Sequence, residues 1–465
     1  MNDTPEGDNE KNRFSARAKR YGRVGANVGG VAARIAGRRL FGLDPEKDKD
    51  AAALAAALGG LKGPIMKVAQ LLATIPEALP AEYAAELGQL QSQAPPMGWA
   101  FVRRRMAAEL GPDWEARFAT FEHAAAAASL GQVHRAVAHD GRALAVKLQY
   151  PDMQSAVEAD LAQLGMLFSL HRRMRPAIET SEMLKEISAR LREELDYALE
   201  AKHTGLYGLI FADDPMIRVP DVLPELSTKR LLTMTWLDGR RLLDYTDRPL
   251  EERNQIARAM FRAWWFPFSQ YGVIHATRIS ATTRCSRTRT ARRPGINLLD
   301  YGCMRTFAPK FIQGVIDLYH GLLNNDRALV VHAYETWGFT GLSNELIDIL
   351  NIWAKFIYGP MLEDRVRTIA EYVKPGAYGR QEAFKVHQGL REKGPVTVPR
   401  EFVFMDRAAI GLGGVFLHLN AELNYYRLFN EAIAGADLAD VTRRQHEAFV
   451  KTGVPLPEEA GKQGL

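Results

Sequence analysis

Several segments of this 465-residue chain carry side chains whose types and spacing suit phosphate chemistry. Lys147 ends the alternating run Leu144-Ala145-Val146-Lys147, and a lysine held on a strand can pair with the α- and β-phosphates of a nucleotide. A solvent-facing lysine on an amphipathic strand would show the same pattern. A nucleotide lysine needs a carboxylate to fix its ammonium, and REELDYALEA offers Glu193, Glu194, Asp196 and Glu200. Glu194 and Asp196 are two apart, so on a helix they diverge by about 200° and can address different partners. One can hold a lysine while the other reaches a metal, and a solvated acidic face is the plainer alternative. Asp300 follows Ile296-Asn297-Leu298-Leu299 and precedes Tyr301-Gly302, a strand end with a tight exit. That arrangement presents an aspartate to Mg²⁺, although an ordinary strand followed by an Asp-containing turn reads the same way. Lys67 and Gln70 share one helical face at i,i+3 and in isolation are two polar surface residues. Ala126, Ala127, Ala128 and Ser129 stand where a phosphate loop would precede the Lys147 strand. Neither a G-x-G-x-x-G nor a Walker pattern covers that place, and an alanine run by itself reads as helix.

The elements that must position these residues can be read from period and punctuation. Asp140-Gly141 between short apolar runs signals a hairpin. Helical patterns are expected over 26–72, with a break at 44–50, then near 81–93, over 100–113, and over 153–208. Residues 226–240 read as two short strands or a strand and connector. Further helices are expected over 251–272, 310–325, 327–337, 343–357, 362–372 and 405–435. A β-rich lobe followed by a mostly α lobe predicts an α+β, bilobal fold around a cleft. The expected boundaries are a disordered basic N-terminus at 1–25, a helical N-terminal extension at 26–115, and an N-lobe with inserted helices at 116–240. A helical C-lobe at 241–440 and a polar tail at 441–465 complete them.

The bulk numbers narrow the function classes. Two cysteines, Cys285 and Cys303, give no disulfide framework, so a reducing compartment is expected. No apolar run reaches the length of a transmembrane segment, and the start lacks the order of a signal peptide. Net charge is +5, yet residues 277–293 hold six arginines and no acid, so that stretch alone exceeds the total. With neither a recognition element nor stacking aromatics, no nucleic-acid partner is expected. A basic cluster of Arg13, Arg17, Lys19, Arg20, Arg23, Arg34, Arg38 and Arg39 reads either as a solvated tail or as a weak contact with anionic lipid. His134 and His203 lack ligand spacing and read as satisfied surface or cleft histidines.

Taken together, these residues resemble the UbiB/ABC1/ADCK (AarF-domain) family of atypical protein-kinase-like proteins. The resemblance spans roughly 55–435 and rests on LKGPIMKVAQLLATIPEALPAEYAAELGQLQSQAPP, AAAASLGQVHRA, LAVKLQYP, REELDYALEA, LLTMTWLDG and INLLDYG. It implies a kinase-like fold binding ATP and Mg²⁺, with the helical extension folded over the cleft and an alanine-rich loop in place of the glycine loop. By that resemblance Lys147 is the nucleotide lysine, Glu194 and Asp196 are the E-x-D acids with Glu194 fixing Lys147, and Asp300 is the Mg²⁺ ligand. Lys67 and Gln70 match the K-x-G-Q signature, tied in the family to ATPase rather than protein-kinase behaviour. Ala69 stands at its glycine, and His203 at a usual asparagine. The implied role is support of ubiquinone or another isoprenoid-quinone synthesis. The implied partners are a quinone precursor or anionic lipid and quinone-biosynthesis proteins, in the cytoplasm with peripheral contact at the inner membrane. A small-molecule or lipid kinase and a non-catalytic nucleotide-gated binding module are the alternatives.

One departure is large. The family's catalytic loop reads H-A-D-P-H-x-G-N, whereas this chain reads His275-Ala276-Thr277-Arg278-Ile279-Ser280-Ala281-Thr282. The catalytic aspartate falls on Thr277 and the second Mg²⁺ ligand, an asparagine, on Thr282. Threonine supplies no carboxylate. The codons GCG ACC CGC ATC TCG GCA ACT ACT, chosen among synonyms, encode Ala276 through Thr283. One G inserted after the first codon turns them into A-D-P-H-L-G-N-Y, and CGG TGT TCG AGG ACG for Arg284 through Thr288 then reads S-V-F-E-D. Either the gene is read one base out of step here, or the chain is a catalytically crippled relative that can still bind nucleotide through Lys147 and Asp300.

Overall fold

Burial alternates along β2 and β3, whereas β5, β7 and β9 are buried on successive residues; the strands are β1 (Thr120–Ala127), β2 (Gly131–Val137), β3 (Ala143–Gln149), β4 (Ile217–Arg218), β5 (Leu231–Thr235), β6 (Arg240–Arg241), β7 (Val273–His275), β8 (Thr283–Arg287), β9 (Pro294–Leu298) and β10 (Met304–Thr306). The helices are α1 (Trp99–Leu110), α2 (Tyr197–Ile210), α3 (Leu250–Tyr271), α4 (Pro309–Leu323), α5 (Arg327–Thr336), α6 (Asn344–Tyr358), α7 (Arg380–Lys393), α8 (Arg400–His418), α9 (Tyr425–Ile433) and α10 (Leu438–Thr452). This computed structural model describes residues 98–457 except 129, 152, 159–160, 163–187, 190, 276–282, 288–293, 340, 372, 374–378 and 394–399. The expectations for 1–97, Lys67 and Gln70 included, lie outside the described residues.

The chain divides into two units, Met1–Glu200 with Val222–Trp236, and Ala201–Asp221 with Leu237–Leu465. These boundaries correct the expected ones. The helix at 99–110, assigned to the extension, packs in the first unit's core, and 201–221 belongs to the second unit rather than to an N-lobe ending at 240.

In the first unit the order β1-β2-β3-β5 is antiparallel throughout. The expected hairpin turn is present, with Gly141 at φ 84°. Leu144, Val146 and Leu148 of β3 are fully buried together with Val102 and Met106 of α1 and with Trp114. The i,i+4,i+8 spacing of Val102, Met106 and Leu110 gives α1 that apolar face. Pleating therefore sends Ala145 and Lys147 to the other face of the sheet.

In the second unit, α3 is buried over much of its surface, with Ile256, Met260, Phe261, Trp264 and Phe268 in the core. It ends at Gly272, left-handed at φ 65°, and the chain turns directly into β7. β7 pairs with β10, and a further sheet runs β4-β9-β8-β6.

Three helical expectations change. Residues 362–372 form no described helix; instead Arg367 and Leu423 exchange backbone hydrogen bonds at 3.0 Å. The expected 405–435 helix is two, α8 and α9, parted where Asn420 adopts φ 44°. The expected polar tail from 441 is largely α10, which buries Val441, Gln445, Ala448 and Phe449 in the core. Those positions recur at helical spacing, and Gln445 donates 2.8 Å hydrogen bonds to the carbonyls of Tyr271 and Phe307, so even the polar member of the stripe has interior partners. Among the described residues no helix is long and apolar enough to cross a membrane.

Candidate active site

In the first unit Lys147 lies on β3 opposite Val133 of β2 and Leu232 of β5, its backbone fixed from both sides. Its ammonium donates to both carboxylate oxygens of Glu200, at 2.7 and 2.8 Å. The two side chains are 12% and 2% exposed. A buried pair of this kind is expensive to break, because the remaining charge stays desolvated. Lys147 Nζ also stands 4.9 Å from the ring centroid of Tyr197.

Glu200 corrects the expectation that Glu194 fixes Lys147. The expected continuous helix breaks at 194–196, and Asp196 caps a new one: its Oδ1 accepts from the amides of Ala198 and Leu199, both at 3.1 Å. Asp196 is thus a capping group, and Glu194 lies on the preceding turn rather than two places along a shared helix. From the cap, Tyr197 and Glu200 follow at i,i+3 on one face of α2. Tyr197 N–H donates to the Lys229 carbonyl at 3.0 Å, and Gln149 Nε2 donates to the Leu195 carbonyl at 3.1 Å. These contacts tie the start of α2 to β3 and to the segment before β5.

The alanine-rich segment is strand rather than helix. β1 runs through Ala126, which is exposed and paired with Val133, to Ala127. Ala128 N–H then donates to the Gly131 carbonyl at 2.9 Å. Ser129 lies outside the described residues. A Cβ on Gly131 would stand 2.3 Å from the Leu148 carbonyl oxygen and 2.9 Å from Tyr197 Oη, so only glycine fits there. His134 is fully buried, not a surface residue: Nδ1–H donates to the Glu122 carbonyl at 2.9 Å, and Nε2 accepts from Gln132 at 2.8 Å. Burial lowers its pKa, which keeps it in this neutral tautomer.

In the second unit Asp300 follows β9 and is half-buried, and its Oδ1 accepts from Gly302 N–H at 3.1 Å. His275, at the end of β7 and fully buried, donates from Nε2 to the Asp300 carbonyl. Burial lowers its pKa, and because a carbonyl only accepts, the proton sits on Nε2. His203 on α2 is buried and donates from Nδ1 to the Tyr301 carbonyl at 3.3 Å, with its pKa pushed down to about 4, mainly by burial. Two neutral imidazoles therefore hold successive carbonyls of the Asp300-Tyr301 segment. The Tyr301 ring packs edge-on against Tyr207 and His275, and its hydroxyl donates to the Leu298 carbonyl at 3.0 Å.

Asp300 suits a hard cation as a single carboxylate ligand. Among the described residues no three His, Cys, Asp or Glu side chains gather into a metal site. Mg²⁺ does not require such a group, since one or two carboxylates and substrate phosphates suffice to hold it. The positions of Thr277 and Thr282 lie outside the described residues.

Within the anomalous stretch, Thr283–Arg287 is a strand. β8 pairs with both β9 and β6, and Thr283 and Cys285 point inward, fully buried. Burial pushes the Cys285 thiol up to about 12, so it stays protonated and unreactive. Opposite Arg284, the buried Asn297 donates to the Asp238 carbonyl at 2.8 Å, fastening the segment before β6.

The structure adds contacts that spacing alone does not show: Tyr197 and Glu200 beside Lys147, and His275 on the Asp300 carbonyl. The signal for the first two was Asp196 as an N-cap, which sets Tyr197 and Glu200 on one face.

Residues 89–334 match the family model for the ABC1 atypical kinase-like domain. The chain is 30% identical over 268 residues to AarF domain-containing protein kinase 1 of Xenopus tropicalis, covering 57% of this chain and 51% of that protein. It is also 30% identical over 254 residues to the mitochondrial atypical kinase COQ8 of Saccharomyces cerevisiae, covering 54% and 50%. The chain thus spans about half the length of these curated relatives. The structure of Rv3197 from Mycobacterium tuberculosis, solved with erythromycin, superposes with a TM-score of 0.57 at 25% identity, covering 83% of this chain and 96% of that one. With the strand lysine, its helix carboxylate and the Asp-Tyr-Gly turn inside the matched segment, the chain belongs to the ABC1 atypical kinase-like (UbiB/AarF) family and has its α+β kinase-like fold.

Proposed function

We propose that the chain binds ATP with Mg²⁺ and that its family chemistry is phosphoryl transfer to water or a small acceptor in support of isoprenoid-quinone synthesis. The observation that carries this reading is the Lys147–Glu200 pair, a buried, doubly hydrogen-bonded ammonium on a central strand. An ammonium so fixed stands ready for phosphate oxygens. Asp300, oriented by Gly302 N–H and by the imidazole on its carbonyl, is the residue that would hold Mg²⁺. The kinase names of the curated relatives support the nucleotide reading, and COQ8 supports the quinone role. Peripheral contact at the inner face of a membrane belongs to the same reading.

The stretch at 277–293 is in this proposal a catalytic loop read one base out of step. The shifted reading places an aspartate at 277, an asparagine at 282 and a valine at 285. Position 285 is a fully buried inward strand position, where a β-branched apolar residue fits. Nucleotide binding and Mg²⁺-ATPase assays on this chain and on the chain carrying the shifted loop test both parts. This chain should bind ATP yet hydrolyse it at background rate, the shifted chain should turn over, and Lys147→Ala should abolish binding-dependent activity. Robust turnover by the present chain would overturn the account of the loop. Absence of ATP binding in both would overturn the nucleotide reading.

A further inference from the structure

We infer that Tyr197 is a positioning residue for the Lys147 ammonium and thereby makes binding selective for the phosphate tail of a nucleotide. This rests on the nucleotide reading of Lys147 and deepens it. Tyr197 is 1% exposed, and its ring centroid lies 4.9 Å from Lys147 Nζ. The negative face of an aromatic ring attracts an ammonium, and the attraction strengthens when both are desolvated. Lys147 is 12% exposed, so the condition is met. Glu200 takes two hydrogen bonds from the ammonium, whereas the ring adds attraction through its face rather than through another acceptor atom.

The same side chain reaches Gly131, the first residue of β2. A Cβ built on Gly131 would lie 2.9 Å from Tyr197 Oη, so the hydroxyl end of Tyr197 stands against Gly131. One side chain thus stands beside Lys147 with its ring and beside Gly131 with its hydroxyl. Its own place is set by the Asp196 cap and by the hydrogen bond from its amide to Lys229. Tyr197 and Glu200, at i,i+3 on α2, grip Lys147 as a pair, the carboxylate by hydrogen bonds and the ring by its face.

The test compares ADP with adenosine on the full chain, using displacement of a fluorescent nucleotide. Tyr197→Leu should weaken ADP five- to tenfold and adenosine less than twofold, while Tyr197→Phe, which keeps the ring, should hold both within twofold. A series of increasingly fluorinated phenylalanines at 197 keeps the shape and drains the ring face of electron density. ADP affinity should fall stepwise along it, and adenosine affinity should not. Equal weakening of ADP and adenosine, or a flat fluorination series while Lys147→Ala still weakens ADP, would overturn the inference and leave the nucleotide reading standing. If the unmodified chain bound ADP no more tightly than adenosine, the reading of Lys147 would fail and this inference with it.

Discussion

Lys147 donates to the Glu200 carboxylate, whose loss would be felt in both binding and folding. Glu200→Gln removes the charge that balances a nearly buried ammonium, and breaking such a pair costs on the order of 3 kcal/mol. ADP affinity should fall about tenfold, in line with losing a charge-assisted contact. Glu194→Gln should have a smaller effect on ADP affinity, because the ammonium rests on Glu200. Denaturant midpoints and ADP titrations of the two variants, measured side by side, check both statements. That Lys147 lies on a strand and Asp300 just beyond one was legible from sequence, because the first sits in an alternating apolar run and the second follows a short apolar one. Their supporting groups were less legible. The choice among Glu193, Glu194, Asp196 and Glu200 depends on where α2 begins, and the Asp196 cap sets that through two hydrogen bonds of 3.1 Å. A helix read straight through 153–208 places every later side chain on the wrong face.

At the scale of elements, α10 carries weight that composition conceals. LADVTRRQHEAFVKT is rich in charge, yet Phe449 is fully buried, and Gln445 bridges the end of α3 to the residue after β10. Phe449→Ala should destabilise the chain by about 3–5 kcal/mol, read as a lower denaturant midpoint with little change in m-value. A near-neutral result would show that α10 is the dispensable tail its composition suggests. β8 teaches the reverse lesson. Its arginine-threonine composition specifies no core, but partners on both sides, β9 and β6, hold it in a sheet, and alternation then buries Thr283 and Cys285. The alanine run became strand for a similar reason: pairing with β2 overrode alanine's helix propensity.

For the whole molecule, the buried imidazoles set an acid limit. His134, His203 and His275 all have lowered pKa values, each with burial as the first cause. For His203 the value falls from 6.5 to about 4, with weaker lowering from the charges of His275 and Lys202. The folded value lies below the unfolded one, so as pH falls below 6.5 the unfolded chain takes up the proton first and stability declines until about pH 4. His203 alone accounts for about 3 kcal/mol across that window. Chemical denaturation at pH 7.5, 6, 5 and 4 should show this decline, and His203→Asn should flatten it. A His203→Asn profile parallel to that of the unmodified chain would refute the assignment. Well above pH 6.5 the three rings are neutral in both states, and their contribution to the dependence should fade.

The amino-acid sequence by itself determined the family motifs, the apolar runs that set Lys147 on a strand and Asp300 just beyond one, and the absence of a carboxylate at Thr277 and of an amide at Thr282. These follow from residue identity and from periods of two and 3.6, which are local. Only the tertiary structure decided that Glu200 meets Lys147, that Tyr197 lies under its ammonium and against Gly131, and that His203 and His275 carry their protons toward the carbonyls of Tyr301 and Asp300. Lys147 and Glu200 are 53 residues apart and Gly131 and Tyr197 further still, so pattern alone could not pair them. Their meeting depends on where a helix starts, which strand faces it, and how much water is excluded between them.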